Sequence, residues 1–216
     1  QLRWELEREN CIVIHLTLVP YLSAAAELKT KPTQHSVKTL MESGINADIL
    51  VCRTEYELSE SIRAKLALFC NVKREAVIQS IDAKTIYDVP LLMQEEGLDR
   101  VVMETLNLPN DITPDLTKWK AFLYRQKNPK NHVRIGLLGK YVELQDSYKS
   151  ILEAFIHAGA ANEVKVDVVS IHSEHLTVDN CEEQLKDLHG LLVAPGFGSR
   201  GIEGKICAIK YVRENN

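Results

Sequence analysis

Two lysines one residue apart, Lys29 and Lys31, stand just ahead of a helix-length stretch in ELKTKPTQHSVKTL. Thr30 lies between them, Pro32 fixes the backbone, and Thr33 or Gln34 is placed to cap the helix that follows. Two ammonium groups beside a helix N-terminus suit a triphosphate or another dense anion. Lysine supplies point charge, while exposed N–H groups and hydroxyls supply direction. The plainer alternative is a solvated turn with proline at a helix start.

A second motif, GFGSRG at residues 196–201, follows an apolar strand and precedes a helix, so it fits the G-x-G-x-x-G pattern of dinucleotide-binding turns. That fingerprint ordinarily occupies the first strand-to-helix turn of its domain, whereas this one follows the third strand. Four glycines in nine residues, Gly196 to Gly204, also let main-chain N–H groups come close to a ligand carbonyl, as an oxyanion hole requires.

Lone cations are weaker signals. Arg63 and Lys65 sit at the polar edge of an otherwise apolar helix, SIRAKLALFC, where solvation is the ordinary explanation. Arg53 follows the strand DILVC, at the carboxyl end where open α/β sheets collect ligands. His172 and His175 in HSEH lack a third ligand at metal spacing and read as a solvated loop. Cys11, Cys52, Cys70, Cys181 and Cys207 are widely spaced and contain no CxxC pair. Cys52, Cys70 and Cys207 fall in apolar runs, which favours core packing over nucleophilic chemistry.

These residues must be held by elements, and the text alternates strand-like apolar runs with amphipathic stretches: CIVIHL, HSVKTLMES, DILVC, SIRAKLALFC, AVIQSI. This is the rhythm of a parallel sheet. After Pro90 the text turns helical (LLMQEEGLDRVVMETL, PDLTKWKAFLYRQ) and ends in the polar stretch KNPKNH. VRIGLLG, KVDVVSI and LLVAP then alternate with helices, so a second parallel sheet begins. The expectation is an α/β chain of two doubly wound parallel-sheet domains, both incomplete: 1–126, a linker at 127–132, and 133–216.

Composition agrees with a packed protein: 216 residues, 45% hydrophobic and 26% charged, can bury a real core. The formal charge of −4 is spread along the chain, so no broad cationic face suggests nucleic acid. No apolar run approaches bilayer length, and the polar start is unlike a secretory signal, so the expected compartment is the cytoplasm.

HLTLVPYL, ELKTKPTQHSVKTL, DILVCRTE, KLALFCNV, TIYDVPLL, GLLGKYVELQDSYKSILEA and PGFGSRGIEGK, in that order, resemble the CTP synthase family along essentially the whole chain. The resemblance implies the C-terminal portion of a P-loop-type amidoligase domain, then the N-terminal portion of a class I glutamine amidotransferase domain. It implies ATP-dependent amination of UTP to CTP with ammonia from glutamine, Mg²⁺, CTP as feedback inhibitor, GTP as activator, and a homotetramer. By motif, Lys29, Thr30, Lys31, Pro32, Thr33, Gln34 and Lys65 correspond to UTP- and CTP-binding positions. Ile81, Asp82 and Ala83 correspond to an ATP-contacting segment. Gly196 corresponds to the glycine that binds glutamine and helps form the oxyanion hole, although the family's PGGFG stands here as APGFG. The phosphate loop and magnesium-binding acids are expected ahead of residue 1, and the cysteine nucleophile with its partners beyond residue 216. No catalytic or metal residue is therefore assigned within the segment, which by itself is expected to be inactive. A non-catalytic pyrimidine-nucleotide sensor is the competing reading.

Overall fold

A computed structural model describes residues 2–7 and 10–215. The chain divides into two compact units, residues 1–116 and 117–216.

The first unit opens with the short helix α1 (Leu2–Glu5), then strand β1 (Ile14–Leu18) and a two-residue-per-strand hairpin, β2 (Tyr21–Leu22) with β3 (Glu27–Leu28). Helix α2 (Lys31–Glu42), β4 (Ile49–Thr54), α3 (Glu60–Cys70) and β5 (Val77–Ile81) follow, and α4 (Val89–Glu95) and α5 (Leu98–Thr105) close the unit. The three long strands form a parallel sheet in the order β1-β4-β5. β4 is central and is covered on both faces. Leu50 and Cys52 enter one cluster with Val37 and Leu66, while Ile49 and Val51 enter another with Ile78 and Val101. This two-sided burial explains why DILVC is a continuous apolar run with no alternation.

Two features depart from the expected elements. The helical text after Pro90 is two helices, because Gly97 between them sits at φ +75°, a left-handed conformation that glycine adopts freely. Helix α2 begins at Lys31, with Thr30 at its N-cap, where neither Thr33 nor Gln34 can cap it. Proline is favoured in the first helical turn, so Pro32 draws the helix start ahead of Thr33.

The second unit contains α6 (Thr117–Lys127), β6 (Asn131–Gly139), α7 (Lys149–Asn162), β7 (Val164–His172), α8 (Cys181–Leu185), β8 (Gly190–Val193) and α9 (Ile202–Glu214). Its sheet is parallel in the order β7-β6-β8. Leu138, Ile171, Leu185 and Ala208 form one core cluster, and Leu137, Tyr148 and Ala194 form another on the opposite face of β6. No helix among the described residues is long and apolar enough to cross a membrane.

Candidate functional site

In the first unit the β2–β3 hairpin rises from the carboxyl end of β1 and returns the chain to α2. Its base is closed by the Lys29 N–H donating to the Pro20 carbonyl at 2.9 Å. Lys29 and Lys31 therefore emerge together at the mouth of a cavity of about 930 Å³, which Thr30 and Pro32 also line. Across it, Lys65 and Ser61 project from α3. Tyr21 on the hairpin and Tyr56 after β4 close one side, their ring centroids 4.3 Å apart. Three ammonium groups thus face a space walled partly by aromatic rings, which suits an anionic ligand that carries a flat ring.

One carboxylate shares this cavity. Glu27 accepts a hydrogen bond from Lys29, and that bond, followed by the charges of Lys29 and Lys65, holds its carboxyl below the usual glutamate range. The pair uses one of the three donors of the Lys29 ammonium and places a negative charge beside the other two.

Thr33 and Gln34 take a different place. The Thr33 hydroxyl is fully buried, donates to the Leu18 carbonyl at 2.9 Å and lies 3.3 Å from Thr17 Oγ1. Gln34 Nε2 donates to Thr30 Oγ1 at 3.2 Å. Both residues brace the loop from behind, and neither lines the cavity. Sequence pattern does not single out these wall residues: Tyr21 and Glu27 lie on two-residue strands that carry no periodicity, and Tyr56 lies in the irregular turn after β4.

Ile81, Asp82 and Ala83 stand at the carboxyl end of β5. The Asp82 N–H donates to the Thr54 carbonyl at 3.0 Å, and its carboxylate accepts from Arg53 Nε at 3.2 Å. Arg53 is therefore engaged with the neighbouring segment at the same sheet edge. Among the described residues, no group of three or more His, Cys, Asp or Glu side chains could hold a metal ion.

In the second unit β6 has β7 on one side and β8 on the other, both parallel to it, so the strand order reverses at β6, the place where open α/β sheets form a ligand crevice. The Ala194 N–H donates to the Leu138 carbonyl and the Ser173 N–H to the Gly139 carbonyl, at 2.8 and 2.9 Å. These bonds bring the glycine loop, residues 194–201, to that edge. There Arg200 Nε meets Glu174 Oε1 at 2.8 Å, and Arg200 lies over the Tyr141 ring at 5.6 Å. Within HSEH the His172 and His175 rings stack at 4.4 Å, while Ser173 is fully buried, so this turn is only partly solvated. Helix α9 comes close because Gly201 and Gly204 present no Cβ to Ser173.

Cys52 and Cys70 sit in the core of the first unit and Cys181 in that of the second, with Cys207 packed against it, while Cys11 is half-buried. Burial pushes Cys52 up to about 11, and burial together with the neighbouring Cys207 thiol pushes Cys181 up to about 12. Neither is poised as a thiolate nucleophile.

Residues 1–108 match the family described as CTP synthase N-terminus, and residues 143–216 match glutamine amidotransferase class-I. The chain is 74% identical, over all of its 216 residues, to the CTP synthase of Flavobacterium psychrophilum. It is 69% identical to that of Christiangramia forsetii, again over its full length. Against the CTP synthase of the archaeon Methanocaldococcus jannaschii the identity is 55% over 222 residues. The chain spans about 40% of the length of these curated relatives. An amidoligase-type unit with a lysine-lined cavity, joined to a parallel-sheet unit with a glycine-rich loop, matches both families in order, and the chain belongs to the CTP synthase family.

Proposed function

We propose that this chain supplies the pyrimidine-nucleotide cavity and the glutamine-facing loop of an enzyme that aminates UTP to CTP with ATP and glutamine-derived ammonia. The observation that carries the reading is the convergence of Lys29, Lys31 and Lys65 on one aromatic-walled cavity within the unit that matches CTP synthase. In this reading the lysines bind the triphosphate of UTP or of the inhibitor CTP, with Thr30 and Pro32 shaping the entrance. Thr33 and Gln34 act by holding that loop against Leu18 and Thr30.

Ile81, Asp82 and Ala83 serve ATP at the neighbouring strand end, and Gly196 offers its main-chain N–H to the glutamine amide oxygen. The functional boundary between the two activities falls in residues 127–132. In the same reading Mg²⁺ accompanies the nucleotides, with its acids expected ahead of residue 1. A homotetramer belongs to the same reading. Leu68 and Phe69, 77% and 60% exposed, lie about one turn from Lys65 on α3 and offer an apolar face to a second copy. Activation by GTP and a cytoplasmic location complete the proposal.

Calorimetric titration of the full-length enzyme with UTP tests it. Lys31→Ala is expected to weaken UTP and CTP together by about 1.5–3 kcal/mol, the range for hydrogen bonds to charged groups. Unchanged UTP affinity would overturn the assignment.

A further inference from the structure

The loop around Gly196 is tethered at both ends by an ammonium group. Lys140, the residue after β6, is 6% exposed and donates to the Phe197 carbonyl. Lys205, in the first turns of α9, donates to the Ala194 carbonyl at 2.8 Å. A Cβ built on Gly196 would stand 3.8 Å from both Nζ atoms and 3.1 Å from Lys140 Cε. Among the described residues each ammonium has a main-chain carbonyl, and no carboxylate, as its hydrogen-bond partner.

Burying an ammonium without a counter-charge is expensive, so the buried Lys140, joined on the same short loop by the half-buried Lys205, needs a reason. Ala194 is buried and bonded to Leu138, and Arg200 pairs with Glu174, so the span that still needs holding is residues 195–198 between them. The Phe197 side chain is 98% exposed and packs on nothing that would fix the backbone. Pro195 narrows its own φ but removes a main-chain donor.

We infer that Lys140 and Lys205 form a two-point clamp that sets the conformation of residues 194–197 and so aims the Gly196 N–H. They are positioning residues. The inference rests on the reading that Gly196 meets the glutamine amide, and it deepens that reading. An oxyanion donor is effective only when held in place before charge develops, so releasing either carbonyl costs turnover more than substrate affinity.

The test compares full-length wild type with Lys205→Met, Lys205→Arg and Lys140→Met. It uses amide hydrogen exchange across residues 196–198, glutaminase kcat and KM, and CTP synthesis from ammonium chloride. For Lys205→Met, exchange is expected to rise about ten-fold and glutaminase kcat to fall about ten-fold, with KM within about two-fold and ammonia-driven synthesis retained. Lys205→Arg restores most of the loss. Lys205 is half-buried, so its variants keep the test open if Lys140→Met fails to fold. Exchange equal to wild type in Lys205→Met overturns the clamp. A raised KM with unchanged kcat also overturns it, by making the lysines substrate contacts. If the wild-type enzyme itself neither hydrolyses glutamine nor makes CTP, the functional reading falls while the exchange measurement still decides the clamp.

Discussion

Arg63 and Glu96 form a two-pronged ion pair, Nη1 to Oε2 at 2.8 Å and Nη2 to Oε1 at 3.1 Å, with side chains 18% and 22% exposed. The same groups also serve the sheet edge. Glu96 Oε2 accepts the Gln79 N–H at 2.9 Å, and Arg63 Nη1 donates to the Val77 carbonyl at 3.0 Å. The pair ties α3, β5 and the end of α4 together, so Arg63 is structural and is no spare cation for a ligand. Glu96→Gln should lower unfolding stability by about 2–3 kcal/mol, because Arg63 is left half-buried without its counter-charge. Urea denaturation followed by circular dichroism reads this directly, and an unchanged midpoint would contradict it.

Glu27 competes with the ligand for Lys29. Replacing it with Gln removes both the intramolecular partner and a like charge facing the triphosphate. Glu27→Gln should therefore tighten UTP binding by about two- to five-fold at low salt, a modest gain because the pair is exposed. The gain should shrink as salt rises. A loss of affinity in the same titration would show that Glu27 contacts the nucleotide favourably.

Cys52 gives the first unit an alkaline limit. Its thiol is pushed up from 9.0 to about 11 by burial, so the unfolded chain releases this proton before the folded one does. Stability is full below about pH 9 and is lost as pH rises towards 11, by at most about 2–3 kcal/mol. Cys70, also raised by burial, acts in the same direction. The urea midpoint of Cys52→Ala should start lower, because the core has lost an atom, but decline less steeply between pH 9 and 11. Parallel curves would rule this out.

At Gly204 a Cβ would run into the Ser173 carbonyl, and Leu176 O would lie only 3.0 Å away. Both obstacles are backbone, so neither can swing aside. Gly204→Ala should force α9 outward and destabilise the second unit by about 1–3 kcal/mol despite alanine's better helix propensity. Gly196→Ala is the contrasting case, because the group in its way is the flexible end of Lys140. It should leave the melting temperature nearly unchanged and act on glutamine-dependent turnover. Equal thermal shifts for the two variants would sink the distinction.

What the sequence shows of this molecule depends on the range of the interaction. Both parallel sheets were legible, because continuous apolar runs such as ILVC and GLLG record burial on two faces. The Lys29–Pro32 segment was legible because its charges are adjacent in the chain. Glu27 and Tyr21 were not, since a hairpin of two-residue strands leaves no pattern, and Tyr56 was not, since it lies in an irregular turn after β4. Lys140 and Lys205 were missed for another reason. Each bonds to a main-chain carbonyl many residues away, and a carbonyl carries no residue identity that could announce a partner. The Arg63–Glu96 pair was hidden by distance alone, its two side chains lying 33 positions apart.

In the second unit β7 and β8 each pair with β6 and not with each other. During synthesis β6 leaves the ribosome first, and each later strand can dock on a template that already exists, with no need to wait for a partner still to be made. The first unit differs, because the strand that pairs with both others is β4, made between β1 and β5. In the second sheet β7 and β8 can therefore dock in either order, whereas β5 can join the first sheet only through β4.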